Sequence, residues 1–259
     1  MNIHRVFLNL MACLLCLASS TALASPQVTT AFDFAAIDAY VIAWMKDLHI
    51  PGVAIGIVQS NQVVYLKGFG IADPSGRPAT PQTSFRLASV SKTITALANM
   101  QLVEAGKVEL DAPVGRYLPW FQVGVETTPS PDESLVITVR HLLYHTSGIP
   151  QSAGNDNFFN GDLSDAALEN KVRQFARIAL NRPVGTTYQY ANLNYDVLGL
   201  IVQSVSGQSY ESYIQEHVFV PLAMHGSFTS QAEAYAQGMA SGYRQWFGFP
   251  IPASLVLAT

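Results

Sequence analysis

One run limits the fold more than any other. From Ser89 to about Gly106 the chain reads as a helix that is apolar nearly all round, with Val90, Ile94, Leu97, Ala98, Met100, Leu102 and Val103 spread over its circumference. A helix without a polar face belongs in the middle of a domain, so other elements have to cover it. The stretch that opens it, Phe85-Arg86-Leu87-Ala88-Ser89-Val90-Ser91-Lys92-Thr93-Ile94-Thr95, puts a hydroxyl at the helix start and an amine one turn on. Residues three apart share a helix face.

That pairing has a chemical reading. A serine hydroxyl is a poor nucleophile until its proton is taken. An amine can take it once burial and the positive end of a helix dipole lower its pKa. The unpaired backbone N–H groups of the first turn can hold a developing oxyanion. The pattern therefore points to acyl transfer of the Ser-x-x-Lys kind. Taken alone it is thin: Ser is a favoured N-cap, Lys a good helix former, and such a tetrapeptide arises by chance about once in a chain of this size. Of the lysines at positions 46, 67, 92, 107 and 171, only Lys92 has a serine three residues before it.

Residues Met1 to Ala24 read as a secretory signal: Arg5 in a short n-region, an apolar run from Leu8 to Leu17, and a small-x-small site at Ala22-Leu23-Ala24. Both cysteines, Cys13 and Cys16, lie inside it. Leu10-Met11-Ala12-Cys13 faintly resembles a lipid-attachment site, which leaves anchoring at Cys13 open. A chain cleaved there has no thiol, hence no disulfide and no thiol catalysis. The expected mature domain, residues 25–259, carries 13 basic and 18 acidic residues, a net charge of −5, with no basic run. Nucleic acid and anionic membranes are therefore poor partners. No mature window approaches 18 apolar residues, so no transmembrane segment is expected. The expected location is the periplasm or the medium, and the expected state is a monomer.

Asp33 caps a predicted helix whose Phe34, Ile37, Val41, Trp44, Met45 and Leu48 follow the spacing of a buried stripe. Val53 to Val58 and Val63 to Phe69 form a β-hairpin around Ser60-Asn61, apolar enough to suggest a sheet covered on both faces. A Gly/Pro-punctuated loop from Asp73 to Pro81 leads into the Ser89 helix. After a Pro-rich linker (Pro119 to Pro131), Thr138 opens a short helix ending at His145-Thr146-Ser147-Gly148. His141 and His145 are four apart, but Leu142 stands where a metalloprotease helix needs Glu, so both are read as structural. A polar loop, Gly154 to Gly161, presents Phe158 and Phe159 at a cleft rim. Ser164 caps an amphipathic helix to about Leu180, and a turn follows at Arg182-Pro183-Val184-Gly185. Tyr190-Ala191-Asn192 precedes a helix that Gly207 ends, where Asn192 can be an N-cap and Tyr190 a core aromatic. A further helix runs from Ser209 to about Val218, and a strand-like piece from Ala240 to Phe247.

In that order, the hairpin after Ile50-Pro51-Gly52, Phe85 to Lys92, His141-Leu142-Leu143-Tyr144-His145-Thr146-Ser147-Gly148, Tyr190-Ala191-Asn192 and Pro221-Leu222-Ala223-Met224 resemble the serine β-lactamase and penicillin-binding-protein superfamily, in particular its class C-like branch. The resemblance implies an α/β (α+β) fold: an antiparallel sheet flanked by helices, plus a helical region, with the site at their junction. It implies that Ser89 attacks an amide, ester or lactam carbonyl, that Lys92 and Tyr190 shuttle the proton, and that Asn192 binds substrate and orients Lys92. The substrate would be a small molecule or a peptide; no metal or organic cofactor is implied. The superfamily expects a later Lys-Thr-Gly or His-x-Gly strand. No lysine follows Lys171, and His225-Gly226 lacks the intervening residue. The sheet is therefore expected to be incomplete. Two classes of function stay open, a serine hydrolase and a non-catalytic or truncated remnant that binds a ligand or partner without turnover.

Overall fold

The computed structural model describes residues 32–123, 136–155, 164 and 166–253. The expected signal segment, Met1 to Ala24, and the Phe158-Phe159 loop lie outside them. The chain divides into compact units at residues 1–41 and 42–259. The first helix, α1 (Phe34–Asp47), starts in the former; Asp33 Oδ1 accepts the amide of Ala36 at 2.9 Å, the expected cap. His49, at φ 51°, turns the chain out of it. Its stripe is less covered than the spacing implies, with Trp44 and Leu48 49% and 47% exposed.

Strands β1 (Gly52–Gln59) and β2 (Gln62–Gly70) pair antiparallel, with Val53 opposite Phe69 and Gln59 opposite Gln62. Ser60 and Asn61 both take positive φ, as a two-residue hairpin turn with right-handed strand twist requires. The strands are apolar enough for a sheet covered on both faces, and the sheet is incomplete, as expected from the missing later strand. Val58 and Val63 are 65% and 62% exposed, Phe69 alone is buried, and β1 has no second neighbour among the described residues.

The loop after β2 is seated on it. Ala79 N donates to Gly70 O at 3.0 Å, and Ile71 bridges Pro78. Asp73 accepts from Ser75 and Arg77, whose guanidinium also reaches Gly238 O at 2.9 Å. Farther on, Ala240 N donates to Ser84 O and Ser241 N to Ala72 O. The approach to Ser89 is thus braced from two sides. A 3₁₀ turn (Ala88–Val90) then feeds helix α2 (Ser91–Glu104).

The main core gathers around a different helix. After α3 (Val139–Leu143) and α4 (Ala167–Gln174) comes α5 (Asn192–Ser206), in which Leu193, Val197, Leu198, Ile201 and Val202 are fully buried. It packs against α2, α3, α4 and α6 (Tyr210–Ile214). Gly207 closes it in the left-handed conformation at φ 74°. On α2, by contrast, Leu97 and Met100 are 40% and 43% exposed, so the helix expected at the centre sits at the edge of the core. Its buried face is Thr95, Ala98, Asn99 and Leu102.

Other boundaries differ from the sequence reading. The amphipathic helix is shorter than expected, and Ser164 contributes its carbonyl to Ala167 N while the N-cap is Ala166. Ser209 does cap α6, accepting from Ser212 N, but the helix passes into a π-helical stretch over Gln215–Phe219. Helix α7 (Gln231–Ala236) was not anticipated. The tail forms a hairpin, β3 (Tyr243–Trp246) with β4 (Phe249–Pro252), turning at Phe247-Gly248. β4 contains Pro250 and Pro252, and as an edge strand of a two-stranded ribbon it tolerates residues that cannot donate to a ladder. The fold is mixed α/β, its antiparallel sheet open and flanked by helices.

A Cβ added at Gly68 on β2 would run into the carbonyl of Ala79. Gly68→Ala is expected to lower unfolding stability by about 1–3 kcal/mol in a denaturant titration, because the seated loop must move.

Candidate active site

Three segments converge on Ser89. The first is the turn that carries it. Ala88 takes φ 47°, a left-handed conformation that costs a non-glycine residue on the order of 1 kcal/mol. Ser91 Oγ donates to Ala88 O at 2.7 Å and Thr93 Oγ1 to Val90 O at 2.8 Å, and both clamp the turn. Ser89 is exposed, and Lys92, one turn along, is half-buried.

The second segment enters at Tyr190. Its hydroxyl lies 2.8 Å from Ser89 Oγ. Lys92 Nζ donates to Ser89 Oγ at 3.3 Å and to Asn192 Oδ1 at 2.8 Å. The Tyr190 hydroxyl also reaches Asn192 Oδ1, at 3.1 Å. The ammonium sits 5.0 Å from the centre of the Tyr190 ring and 5.8 Å from that of Tyr195. All four residues singled out in the sequence, Ser89, Lys92, Tyr190 and Asn192, thus form one hydrogen-bonded cluster. Asn192 is not the helix cap: Ala191 holds that position, and the Asn192 amide is turned to the cluster instead.

Burial alone would push the Tyr190 phenol up. The neighbouring Lys92 and the Ser89 hydroxyl outweigh it and hold the phenol below its ordinary value. A phenol so placed is a better proton acceptor near neutral pH than a free tyrosine.

The third segment is the floor. His145, at 7% exposure, has its ring centre 4.6 Å from that of Tyr190 and 5.1 Å from that of Tyr195. Its Nδ1 accepts the Ala191 amide at 3.3 Å and lies 3.0 Å from Asn194 Nδ2. With Nδ1 accepting, the neutral ring carries its proton on Nε2. Asn194, fully buried, accepts from Ser147 Oγ at 2.7 Å. His145 therefore supports the Tyr190 backbone and ring, and does not touch Ser89. His141 is the third helical residue of α3 and completes a capping box with Thr138. Both histidines are structural parts. Among the described residues no group of three or more His, Cys, Asp or Glu could hold a metal.

Sequence reading missed Asn194, Tyr195 and Asn155. Asn155 Oδ1 accepts from Asn192 Nδ2 at 2.6 Å. Nothing in the local pattern of Gly154-Asn155 signals a contact 37 residues away. A cavity of about 890 Å³ lies on the other elements that hold the turn, lined by Val53, Phe85, Ala88, Ser91, Ile94 and Met224, but not by Ser89, Lys92 or Tyr190. No helix among the described residues is long and apolar enough to cross a membrane.

With this geometry in hand, the comparisons are coherent. The sequence profile described as Beta-lactamase matches residues 37–257. The chain belongs to the beta-lactamase family, within a superfamily of serine hydrolases that takes in β-lactamases, carboxypeptidases and esterases. It is similar to Protein flp of Staphylococcus aureus (strain MW2), 31% identical over 83% of this chain and 42% of that protein. It is similar to Esterase EstB of Burkholderia gladioli, 32% identical over 84% of this chain and 58% of that one. A solved structure, the octameric penicillin-binding protein homologue from Pyrococcus abyssi, superposes with a TM-score of 0.73 at 31% identity, over 85% of this chain and 50% of its own. The chain spans about half the length of the relatives it matches.

The His145 environment has a measurable signature. Burial, then the Lys92 charge, pulls its pKa from 6.5 to about 4. The folded state thus prefers the neutral ring, a contribution complete above pH 6.5 and lost as pH falls towards 4. His145→Gln should lower stability at pH 7 and flatten its decline between pH 6.5 and 4. An unchanged decline in denaturant titrations would contradict this.

Proposed function

We propose that the protein is a serine hydrolase of the class C-like branch, in which Ser89 forms an acyl-enzyme with an amide, lactam or ester. The observation that carries this is the convergence of the Tyr190 hydroxyl (2.8 Å) and Lys92 Nζ (3.3 Å) on Ser89 Oγ from segments about a hundred residues apart. In the reactive state Tyr190 is the phenolate, and Lys92, hydrogen-bonded to Ser89 Oγ and Asn192 Oδ1, is its partner in the proton shuttle. The Ser89 proton moves to the phenolate oxygen as Oγ bonds the carbonyl carbon. Tyr190, again a phenol, gives that proton to the departing nitrogen or oxygen as its bond to carbon breaks. Water then attacks the acyl carbon, its proton goes to Tyr190 and from there to Ser89 Oγ as the ester opens. The Ser89 amide supplies one oxyanion donor.

A second donor is expected from a strand bearing Lys-Thr-Gly or His-x-Gly, and we read the chain as the N-terminal portion, or a shortened form, of a longer hydrolase. Among the described residues β1 and β2 pair only with each other, and the chain spans about half the length of its relatives, which supports this. The same two observations favour the second reading, a remnant that binds without turnover. Loss of one oxyanion donor typically costs about 10²–10³ in rate, which slows acylation without abolishing it. The leader at Met1 to Ala24 supports export, and with it cell-wall peptides, β-lactams or esters as substrates.

Incubation of the folded chain with a fluorophosphonate or a penicillin should add the probe's mass to the peptide containing Ser89. Lys92→Ala should slow labelling by at least about 10²-fold, and Tyr190→Phe by a comparable factor. A folded wild type that stays unlabelled decides for the binding remnant; equal labelling of Lys92→Ala removes the lysine from the proton path.

A further inference from the structure

We infer that Asn155 is a positioning residue of this site, fixing which end of the Asn192 amide faces Lys92. The inference rests on the hydrolase reading above and assigns it a residue that none of the sequence motifs contains.

A carboxamide is nearly symmetric in shape, and its two ends are opposite in hydrogen bonding. At Asn192 the difference decides everything. Its oxygen faces Lys92 Nζ at 2.8 Å and the Tyr190 hydroxyl at 3.1 Å. Turned over, it would set an NH₂ group against an ammonium and leave Lys92 without its shortest partner. The cluster itself cannot hold the amide by its oxygen alone, because rotation about the Cβ–Cγ bond is soft. The other end is what is gripped: Nδ2 donates to Asn155 Oδ1 at 2.6 Å.

Asn155 faces the same ambiguity, and its own far end resolves it. Its Nδ2 donates to the main-chain carbonyl of Gln151 at 3.1 Å. A carbonyl oxygen can only accept. Polarity therefore passes in one direction, from the Gln151 carbonyl to Asn155, from Asn155 to Asn192, and so to the acceptor presented to Lys92.

The loop that carries Asn155 is built to stay in place. Its amide donates to Ser152 O at 3.1 Å, and Ala153 O accepts the Leu193 amide of the first turn of α5 at 3.3 Å. Gly154, at φ 81°, presses so close to α5 that a Cβ there would stand 2.8 Å from Leu193 N. The loop and the helix that bears Asn192 are thus one mechanical unit. Asn155 itself is exposed and carries little of the core, so its replacement disturbs polarity more than folding.

The test is a labelling series with a fluorophosphonate. Asn155→Leu should lower the limiting rate of Ser89 labelling about 10–100-fold, the range typical of outer-shell orienting groups, with little change in the probe concentration giving half that rate. Asn155→Asp, which keeps an acceptor for Asn192 Nδ2, should recover most of the loss. In an Asn192→Ala background, Asn155→Leu should have no further effect, since the amide it orients is gone. A separate readout needs no activity: in wild type the Asn192 side-chain NH₂ resonances should be shifted and protected from solvent exchange, and Asn155→Leu should abolish both. If wild type is labelled but Asn155→Leu labels at the wild-type rate, the inference is wrong and the hydrolase reading stands. If wild type is not labelled, the hydrolase reading falls, and the amide resonances alone decide whether Asn155 orients Asn192. Equal losses in the Asn192→Ala and wild-type backgrounds would make Asn155 merely structural.

Discussion

The arrangement depends on how α2 lies against α5. Asn99, fully buried, donates through one NH₂ group to the carbonyl of Thr95 on its own helix and to that of Leu198 on the other, at 2.9 and 3.2 Å. Two turns towards the N-terminus, Lys92 meets Asn192 across the same seam. A polar tie inside an apolar interface cannot slide by one turn without stranding its groups, which costs more than the contact returns. Register between the helices is therefore set from within, and the Ser89–Tyr190 distance follows from it. The apolar residues of α5 supply the adhesion, and the amides supply the alignment.

Beneath the seam, the aromatic floor does a different task. His145 is kept neutral, with Nδ1 holding the chain just past Tyr190 and its ring close to two tyrosine rings. A charged imidazole here would repel Lys92 and lose its acceptor role. The same burial that excludes that charge leaves Lys92 as the positive group beside the phenol. Around the Ser89 cluster, structure and electrostatics are arranged by one set of groups.

Much of this was readable from the chain. Ser89 and Lys92 share a helix face by arithmetic, the Ser60-Asn61 turn follows from positive-φ tolerance, and Gly207 ends α5 because it alone takes the left-handed cap without strain. Tyr190 and Asn192 were found through a motif in the right order. What could not be read was depth. The sequences of α2 and α5 are comparably apolar, and only tertiary packing decides that α5 is enclosed while Leu97 and Met100 stay half in solvent. The incomplete sheet was legible, because apolar strands that call for cover stood without the later strand that would complete them. Asn155 left no trace, since a single polar loop residue carries no periodicity.

The hydrogen-bonded cluster at Ser89 joins residues 101 positions apart in the chain. Closing so long a loop is entropically costly and late, whereas a turn and a helix form locally and early. During synthesis the serine-bearing turn emerges long before the phenol that would activate it. A nascent chain therefore carries the Ser89 hydroxyl without its Tyr190 partner until nearly the whole helical core has assembled, and the hydrogen bond between them becomes a report that folding is complete.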